Sequence, residues 1–441
     1  MAKKYDLVIV GGGPAGLMAA RTAGEEGLKV ALIERKKDIP KIHRTCGGVI
    51  NINESSFGEL VRYDDEKGEF NFQNTGFTIK YDGPSQDIFG FQIYSPGGKR
   101  LEFGEFSELR KNAKKNRLGM AISKEQLLRT LLEESERLGV SIFPNENVCS
   151  VTKNSTEVVV ECEDGGTFTG TFVIAADGIN SRIARGLKLN KERSFFGTTR
   201  DIALVLEGTN CPDPDGFLFM LTPRGVFSMI PLAAKNCYQL TASISNKNGK
   251  LLDLINYFLD KDQTFSRWYK DSKILQHRTA CVVTLMSPLE KPFKDNVLFV
   301  GDACWRREIS NLGALCTGWK ASKSIASALK EGKPNEEGVK DYLDWYQEHY
   351  YRPHGNRKQT GRNLLKYLAP EDIDYLVEMP KQEFDHTMDI FKVVNSIGRT
   401  YGDLMTRIYE ERPDVMEKLM KVRENMEEDM KEQVKCGFRT V

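Results

Sequence analysis

Two hydrophobic periods share this chain, and the places where one gives way to the other divide it. The first is a continuous apolar run. Leu7 to Val10 have the composition of a strand buried on both faces, Leu17 to Ala23 read as a helix that Gly27 ends, and Lys29 to Ile33 form a second strand tipped by Glu34. The second period is two. Gly76 to Tyr81, Phe89 to Ser95 and Arg100 to Phe103 alternate apolar and polar residues, with Pro96-Gly97-Gly98 as a turn, which predicts an antiparallel sheet outside the parallel one. Helical spacing returns at Leu127, Leu128, Leu131 and Leu132 behind Ser123 as N-cap, followed by a strand at Val140 to Phe143 and a hairpin-rich stretch through Val151, Val158 to Glu161 and Gly170 to Ala175. Ile202 to Leu206, Phe217 to Thr222, Gly225 to Ile230 and Tyr238 to Ile244 alternate again. This alternation is expected to gather Phe89, Phe91, Ile93, Phe217, Phe219, Met220, Phe227 and Met229 on one apolar sheet face. A short helix at Leu251 to Phe258, a buried-type strand at Asn296 to Val300 and a helix from about Cys316 to Leu329 follow. The rest is helical, with Val339, Tyr342, Leu343 and Tyr346 at i, i+3, i+4, i+7, and Tyr401, Leu404, Met405 and Ile408 likewise.

Chemistry enters with the turn between the first strand and helix. Gly11, Gly13 and Gly16 stand in G-x-G-x-x-G order around Pro14 and Ala15. The first glycine suits the tight turn, the second a close approach of backbone to pyrophosphate, and the third a helix lying close on the sheet. The helix N-terminus offers unpaired N–H groups and a partial positive charge to phosphates. Glu34 is placed to hold ribose hydroxyls, which argues against a 2′-phosphate and fits either NAD or the adenosine half of FAD.

Composition narrows the setting. With 441 residues the chain is expected to hold two or three domains, and a formal net charge of +1 gives no general case for nucleic acid. No apolar run approaches the roughly 20 residues of a membrane span. The opening MAKKYDLVIV runs straight into a strand, so a cytoplasmic protein is expected, with peripheral membrane contact left open. Nine scattered cysteines without a C-x-x-C pair disfavour a disulfide framework, a structural zinc site and an iron–sulfur cluster. The basic run Arg110, Lys111, Lys114, Lys115 and Arg117 is either a solvated face or a dock for an acidic electron donor.

Three separated stretches, GGGPAG with Glu34, ADGINSR at 176–182 and GDA at 301–303, then line up. Over about residues 1–335 the chain resembles the FAD-dependent oxidoreductases of the p-hydroxybenzoate hydroxylase fold. The resemblance implies an α/β protein with a discontinuous Rossmann-like FAD-binding domain (1–70, 104–195 and 280–335), an inserted antiparallel-sheet substrate domain (71–103 and 196–279) and a C-terminal helical region (336–441). By the same resemblance Asp177 and Gly178 lie near the pyrophosphate, and Asp302 binds the ribityl chain or a phosphate-bridging water. Arg35, Gly313 and Ala314 join the cofactor-binding set, and Lys124 stands where the family has an arginine near the adenosine ribose.

The loop HRTCGG most resembles the geranylgeranyl reductases, in which a cysteine–glycine–glycine segment lies beside the flavin ring. That makes Cys46 the first catalytic candidate, flanked by His43 and Arg44, with Arg44, Cys46 and Gly47 also expected against the cofactor. A merely buried cysteine and a surface histidine are the plainer readings. The chain departs from the reductases' Y-x-W-x-F-P motif at Val226-Phe227-Ser228-Met229-Ile230-Pro231, and Val226 and Ser228 argue equally against the halogenases' W-x-W-x-I-P. Arg306, Arg307 and Glu308 are charged where relatives are small and apolar. The leading expectation is reduction, or formation, of a C=C bond in a hydrophobic or aromatic substrate by hydride transfer at flavin N5. Electrons would come from NAD(P)H or a protein donor, since no second G-x-G-x-x-G is present. An aromatic monooxygenase and a pure electron-transfer flavoprotein are the alternatives. Oligomeric state is left open.

Overall fold

The strand Lys3–Val10 is the axis of the protein. It pairs in parallel with Val30–Glu34 on one side and Thr167–Ala175 on the other, and every residue of Val30–Glu34 is buried. Ser141–Pro144 extends the sheet in parallel beyond Val30–Glu34. On its far side, Thr167–Ala175 is shared in series. Its first half pairs antiparallel with Val158–Cys162, and its end pairs in parallel with Val297–Phe299. This register brings Gly11, Glu34, Ala176-Asp177 and Gly301-Asp302 to one edge, the carboxyl ends of the parallel strands, where open α/β sheets bind ligands. The computed structural model describes residues 3–43, 46–244, 250–305, 309–354 and 367–421. Within them no helix is long and apolar enough to cross a membrane.

Two helices cover one face of this sheet, and small residues let them touch. A Cβ at Gly318, on helix Ser310–Lys330, would lie 2.1 Å from the Ala15 carbonyl oxygen on helix Pro14–Glu25. One turn on, the Ser322 hydroxyl donates to the Ala19 carbonyl at 2.9 Å. The helix Ser310–Lys330 begins six residues before the expected Cys316. The Ser310 hydroxyl accepts from Gly313 N–H, and the Asn311 side chain donates to the Val49 carbonyl, so polar residues that read as loop are the first turn. The expected N-cap at Ser123 is present, accepting from Gln126 N–H.

The inserted sheet has seven strands, from Arg100–Glu102 and Phe91–Tyr94 through Phe217–Thr222, Gly225–Pro231 and Cys237–Ile244 to Phe195–Glu207 and Lys273–Met286. Its pairing corrects the expected apolar face. Met220 lies opposite Phe227 and Leu218 opposite Met229, on the outer face, where Phe227 stacks on Phe258 at 3.9 Å between centroids. Phe217 and Phe219 point the other way with Phe91, their rings 4.9 to 5.9 Å apart. Odd and even positions of one strand cannot share a face, and the expected set mixed them. Phe89 sits just before its strand, edge-on to Phe106. A second departure concerns residues 71–81. Thr78–Lys80 pairs with Glu69–Phe72 in a separate four-stranded sheet, and Phe72, Phe77, Ile79 and Tyr81 pack into the core of the parallel sheet. The expected division at residue 70 therefore cuts a strand.

The C-terminal helices rest on the inner face of the seven-stranded sheet. Leu368, Ile373, Leu376, Val377 and Val393 form one core with Phe91, Leu101, Phe103 and Ile230, against which Phe217, Phe219 and Leu221 pack.

Candidate functional site

Contacts at the sheet edge lead stepwise from Glu34 to Cys46. The Glu34 carboxylate, buried at the strand tip, accepts from Gly12 N–H at 2.6 Å and Lys36 N–H at 2.9 Å, so it braces the glycine turn. Pro14 opens helix Pro14–Glu25, whose N-cap Gly13 provides no side-chain bond. A Cβ at Gly301 would lie 3.0 Å from the Ala15 Cβ and 4.0 Å from the Ala314 Cβ, so the GDA turn sits directly beside the helix start. Asp302 accepts from Ile309 N–H at 2.9 Å. Two residues on, Asn311 reaches the Val49 carbonyl, which belongs to the strand after Gly47-Gly48.

The Cys46 loop is held from two sides. Its N–H donates to Gln239 Oε1 at 3.2 Å on the inserted sheet, and a Cβ at Gly47 would lie 3.2 Å from Ile230 Cγ2. On the other side, the Lys124 ammonium donates to Cys46 Sγ at 3.3 Å. The position expected near the adenosine ribose thus touches the candidate thiol. Arg35 and His43 are exposed, and Arg44 lies outside the described residues, as do Arg306, Arg307 and Glu308. Gly313 is enclosed by Ile309, Phe57 and Tyr350.

Two observations fit FAD to this edge. Nothing lies within 4 Å of a Cβ built on Gly13, although the glycines on either side are tightly enclosed. Asp177 Oδ1 is buried without a hydrogen-bond partner, while Oδ2 accepts from Ile183 N–H at 3.2 Å. Burial pushes the Asp177 carboxyl above its usual range, only partly offset by the bonds from Ser181 and Ile183. A carboxyl raised by folding stabilises most when protonated, and that contribution is lost as pH rises through the raised value. Asp177→Asn is accordingly expected to raise the Tm of the FAD-stripped protein at pH 7, an advantage that fades toward about pH 4. Thermal scans across that range check it.

Sequence reasoning missed Gln239, Asn311 and Arg193. Gln239 has a visible signal, a polar side chain alternating with Thr241 and Ser243 between apolar residues of the strand. Arg193 has none. Its guanidinium donates to the Ser287 and Trp305 carbonyls and to Asn190 Oδ1, tying down the turn after Asp302, and burial pushes its pKa down. Arg193→Met strands these acceptors and is expected to cost about 3 kcal/mol in urea unfolding. The basic run is largely consumed internally. Arg110 pairs with Asp213 and Asp215, Lys111 with Glu108, Lys114 with Asp65, and Arg117 with Asp65 and Asp87.

Known proteins are similar to this chain in sequence and in fold. A family model described as FAD dependent oxidoreductase matches residues 6–39, and one described as FAD binding domain matches residues 67–253. Digeranylgeranylglycerophospholipid reductase 1 of Methanococcoides burtonii is 23% identical over 438 residues, covering 95% of this chain and 97% of its own. The digeranylgeranylglycerophospholipid reductase of Methanocaldococcus jannaschii is 23% identical over 419 residues, covering 89% of this chain and 94% of its own. The chain is an FAD-dependent oxidoreductase. Its fold is that of a geranylgeranyl bacteriochlorophyll reductase-like protein from Thermoplasma acidophilum (TM-score 0.67, 17% identity, 93% of this chain and 100% of the other). The halogenase PltM shares the fold more distantly (TM-score 0.61, 11% identity, 94% and 85%). In this oxidoreductase the glycine turn, Asp177 and the GDA turn lie together at the carboxyl edge of the parallel sheet, and the Cys46 loop packs against the inserted sheet.

Proposed function

We propose that this flavoprotein reduces a C=C bond in a hydrophobic substrate lying between the Cys46 loop and the inner face of the seven-stranded sheet. The observation that carries this reading is an asymmetry of burial. On the outer face Leu218, Met220, Phe227, Met229, Leu240 and Ala242 are all buried. On the inner face Phe91 and Ile230 are buried, but Ile93, Phe217, Phe219 and Leu221, which pack against the C-terminal helices, stay half-buried, as do Val226 and Ser228. A largely apolar surface left incompletely covered inside the molecule is what an apolar ligand needs. The reductases of M. burtonii and M. jannaschii, named for a lipid with prenyl chains, support the same class of substrate.

In this reading Glu34 holds the adenosine ribose, and the N–H groups opening helix Pro14–Glu25 meet the pyrophosphate. Asp177 and Asp302 accept hydrogen bonds from the dinucleotide's hydroxyls. When bound, FAD supplies the hydride. Cys46 supplies the proton to the other carbon, and Lys124 holds the sulfur in place. NAD(P)H or a protein donor restores the electrons, and the internal pairing of the run 110–117 weakens the case for a protein docking there.

Anaerobic mixing of the reduced holoprotein with geraniol tests this. Reoxidation at 450 nm with a product two hydrogens heavier is expected. A flavin that stays reduced until oxygen is admitted refutes alkene reduction.

A further inference from the structure

The inner sheet face carries a polar patch between apolar residues, and the patch begins beside Cys46. Cross-strand pairing sets residues in rows. Phe217, Ile230, Gln239 and Val205 form one row, and Phe219, Ser228, Thr241 and Ala203 the next. The first row carries the Cys46 loop, through Gln239 Oε1 and the contact of Gly47 with Ile230. The second lies two residues further along each strand, about 7 Å away. On one side of it are Ile93 and Phe219, continuous with the apolar surface under the C-terminal helices. On the other are Ser228 and Thr241, directly opposite one another and both half-buried.

These two hydroxyls are not consumed by the protein. Among the described residues the Ser228 hydroxyl makes no hydrogen bond, and the Thr241 hydroxyl only accepts one, from Gln239 Nε2 at 3.2 Å. Burying such a pair under a pure hydrocarbon leaves both unsatisfied, whereas a ligand oxygen satisfies them.

Resting on the reading above, we propose that the substrate is an oxygenated alkene. Its alcohol or carbonyl oxygen lies within two or three bonds of the reacting double bond and is bound by Ser228 and Thr241. The apolar remainder extends over Phe219 and Ile93 beneath the C-terminal helices. The polar end thus lies at the reaction centre, and the chain points away from it. A site built to hydrogen-bond a substrate oxygen rejects the analogue that lacks it, since its own polar groups are then left unpaired.

Calorimetric titration of the oxidised FAD-loaded protein with geraniol and with 2,6-dimethyl-2,6-octadiene, the same skeleton without the hydroxyl, tests this without turnover. Geraniol is expected to bind at least about tenfold tighter. The near-isosteric double variant Ser228→Ala/Thr241→Val, its folding checked by FAD content, is expected to weaken geraniol about tenfold and bring the two ligands within about threefold. Equal affinity of the native protein for both ligands, or a gap that survives the double variant, overturns the assignment of the oxygen and leaves the hydrophobic-substrate reading standing. Binding of neither ligand by protein that carries its FAD overturns that reading, and the assignment with it.

Discussion

Alanine at position 13 is expected to leave the protein folded and nearly unable to hold FAD. Gly13 has φ −81 and ψ −176, an extended conformation open to any residue, and a Cβ built there meets no atom within 4 Å. The apoprotein therefore has no reason to resist the methyl group. Its neighbours in the motif differ. Gly11 has φ +108 and its Cβ would lie 2.3 Å from the Ala176 carbonyl oxygen, while a Cβ on Gly16 would lie 1.8 Å from the Gly11 carbonyl oxygen. Both obstacles are backbone, so Gly11→Ala and Gly16→Ala must open the strand–helix junction, at a cost of about 3 kcal/mol or more each. Space kept open at 13 alone, between two glycines packed against backbone, is space for a ligand. A methyl group there lengthens the charge-assisted bonds from the helix N-terminus, worth about 1.5 to 3 kcal/mol apiece, so a loss of roughly a hundredfold in FAD affinity is expected. The measurement is made on FAD-stripped protein, because losing a ligand itself lowers Tm. The Gly13→Ala apoprotein should melt within about 2 °C of wild type, and the other two well below it. A Gly13→Ala protein that purifies with full 450 nm absorbance would place the cofactor elsewhere.

The carboxyl edge of the parallel sheet was legible because its requirements are local. A turn that needs glycine, a strand buried on both faces and an acid at a strand tip each leave their mark within a few residues, as Gly11 to Glu34 show. GDA was legible for the same reason, beginning one residue after Val297–Phe299. The substrate side was not. Whether Met220 joins Phe219 or opposes it depends only on parity, yet which parity faces inward depends on Leu218 lying opposite Met229 across a partner strand. The strand Thr78–Lys80 carries the same alternation whichever sheet it joins, and its pairing with Glu69–Phe72 settles the matter. The partners of Arg193 at Ser287 and Trp305 are main-chain carbonyls, which any residue supplies, so no pattern in the sequence could point to them. The C-terminal helices posed a further difficulty. Their amphipathic spacing marks a face to bury, without naming the surface that Val393 and Leu376 bury it against.

Cys46→Ala is expected to keep its FAD and lose about a hundredfold in turnover, the lower end of what a positioned general acid contributes. The loop does not need the side chain for its shape. Cys46 N–H holds Gln239 at 3.2 Å, and Gly48 accepts from Ile122 N–H at 2.9 Å, both through main chain. Truncating a half-buried thiol there should cost under about 1 kcal/mol of stability. If the thiol were only packing, the result would reverse, with Tm falling and turnover per bound flavin unchanged. Lys124 separates the remaining possibilities. Its ammonium lies 3.3 Å from Cys46 Sγ, so Lys124→Met leaves the thiol in place and removes what orients it. A loss of about tenfold in turnover is expected, with the Cys46→Ala/Lys124→Met protein no slower than Cys46→Ala alone, because two groups acting through one proton do not add. Had Lys124 instead served the adenosine ribose, the single variant would lose FAD affinity and keep its rate when saturated with FAD. The losses of the two single variants would then add in the double, and the contact with sulfur would carry no catalytic meaning.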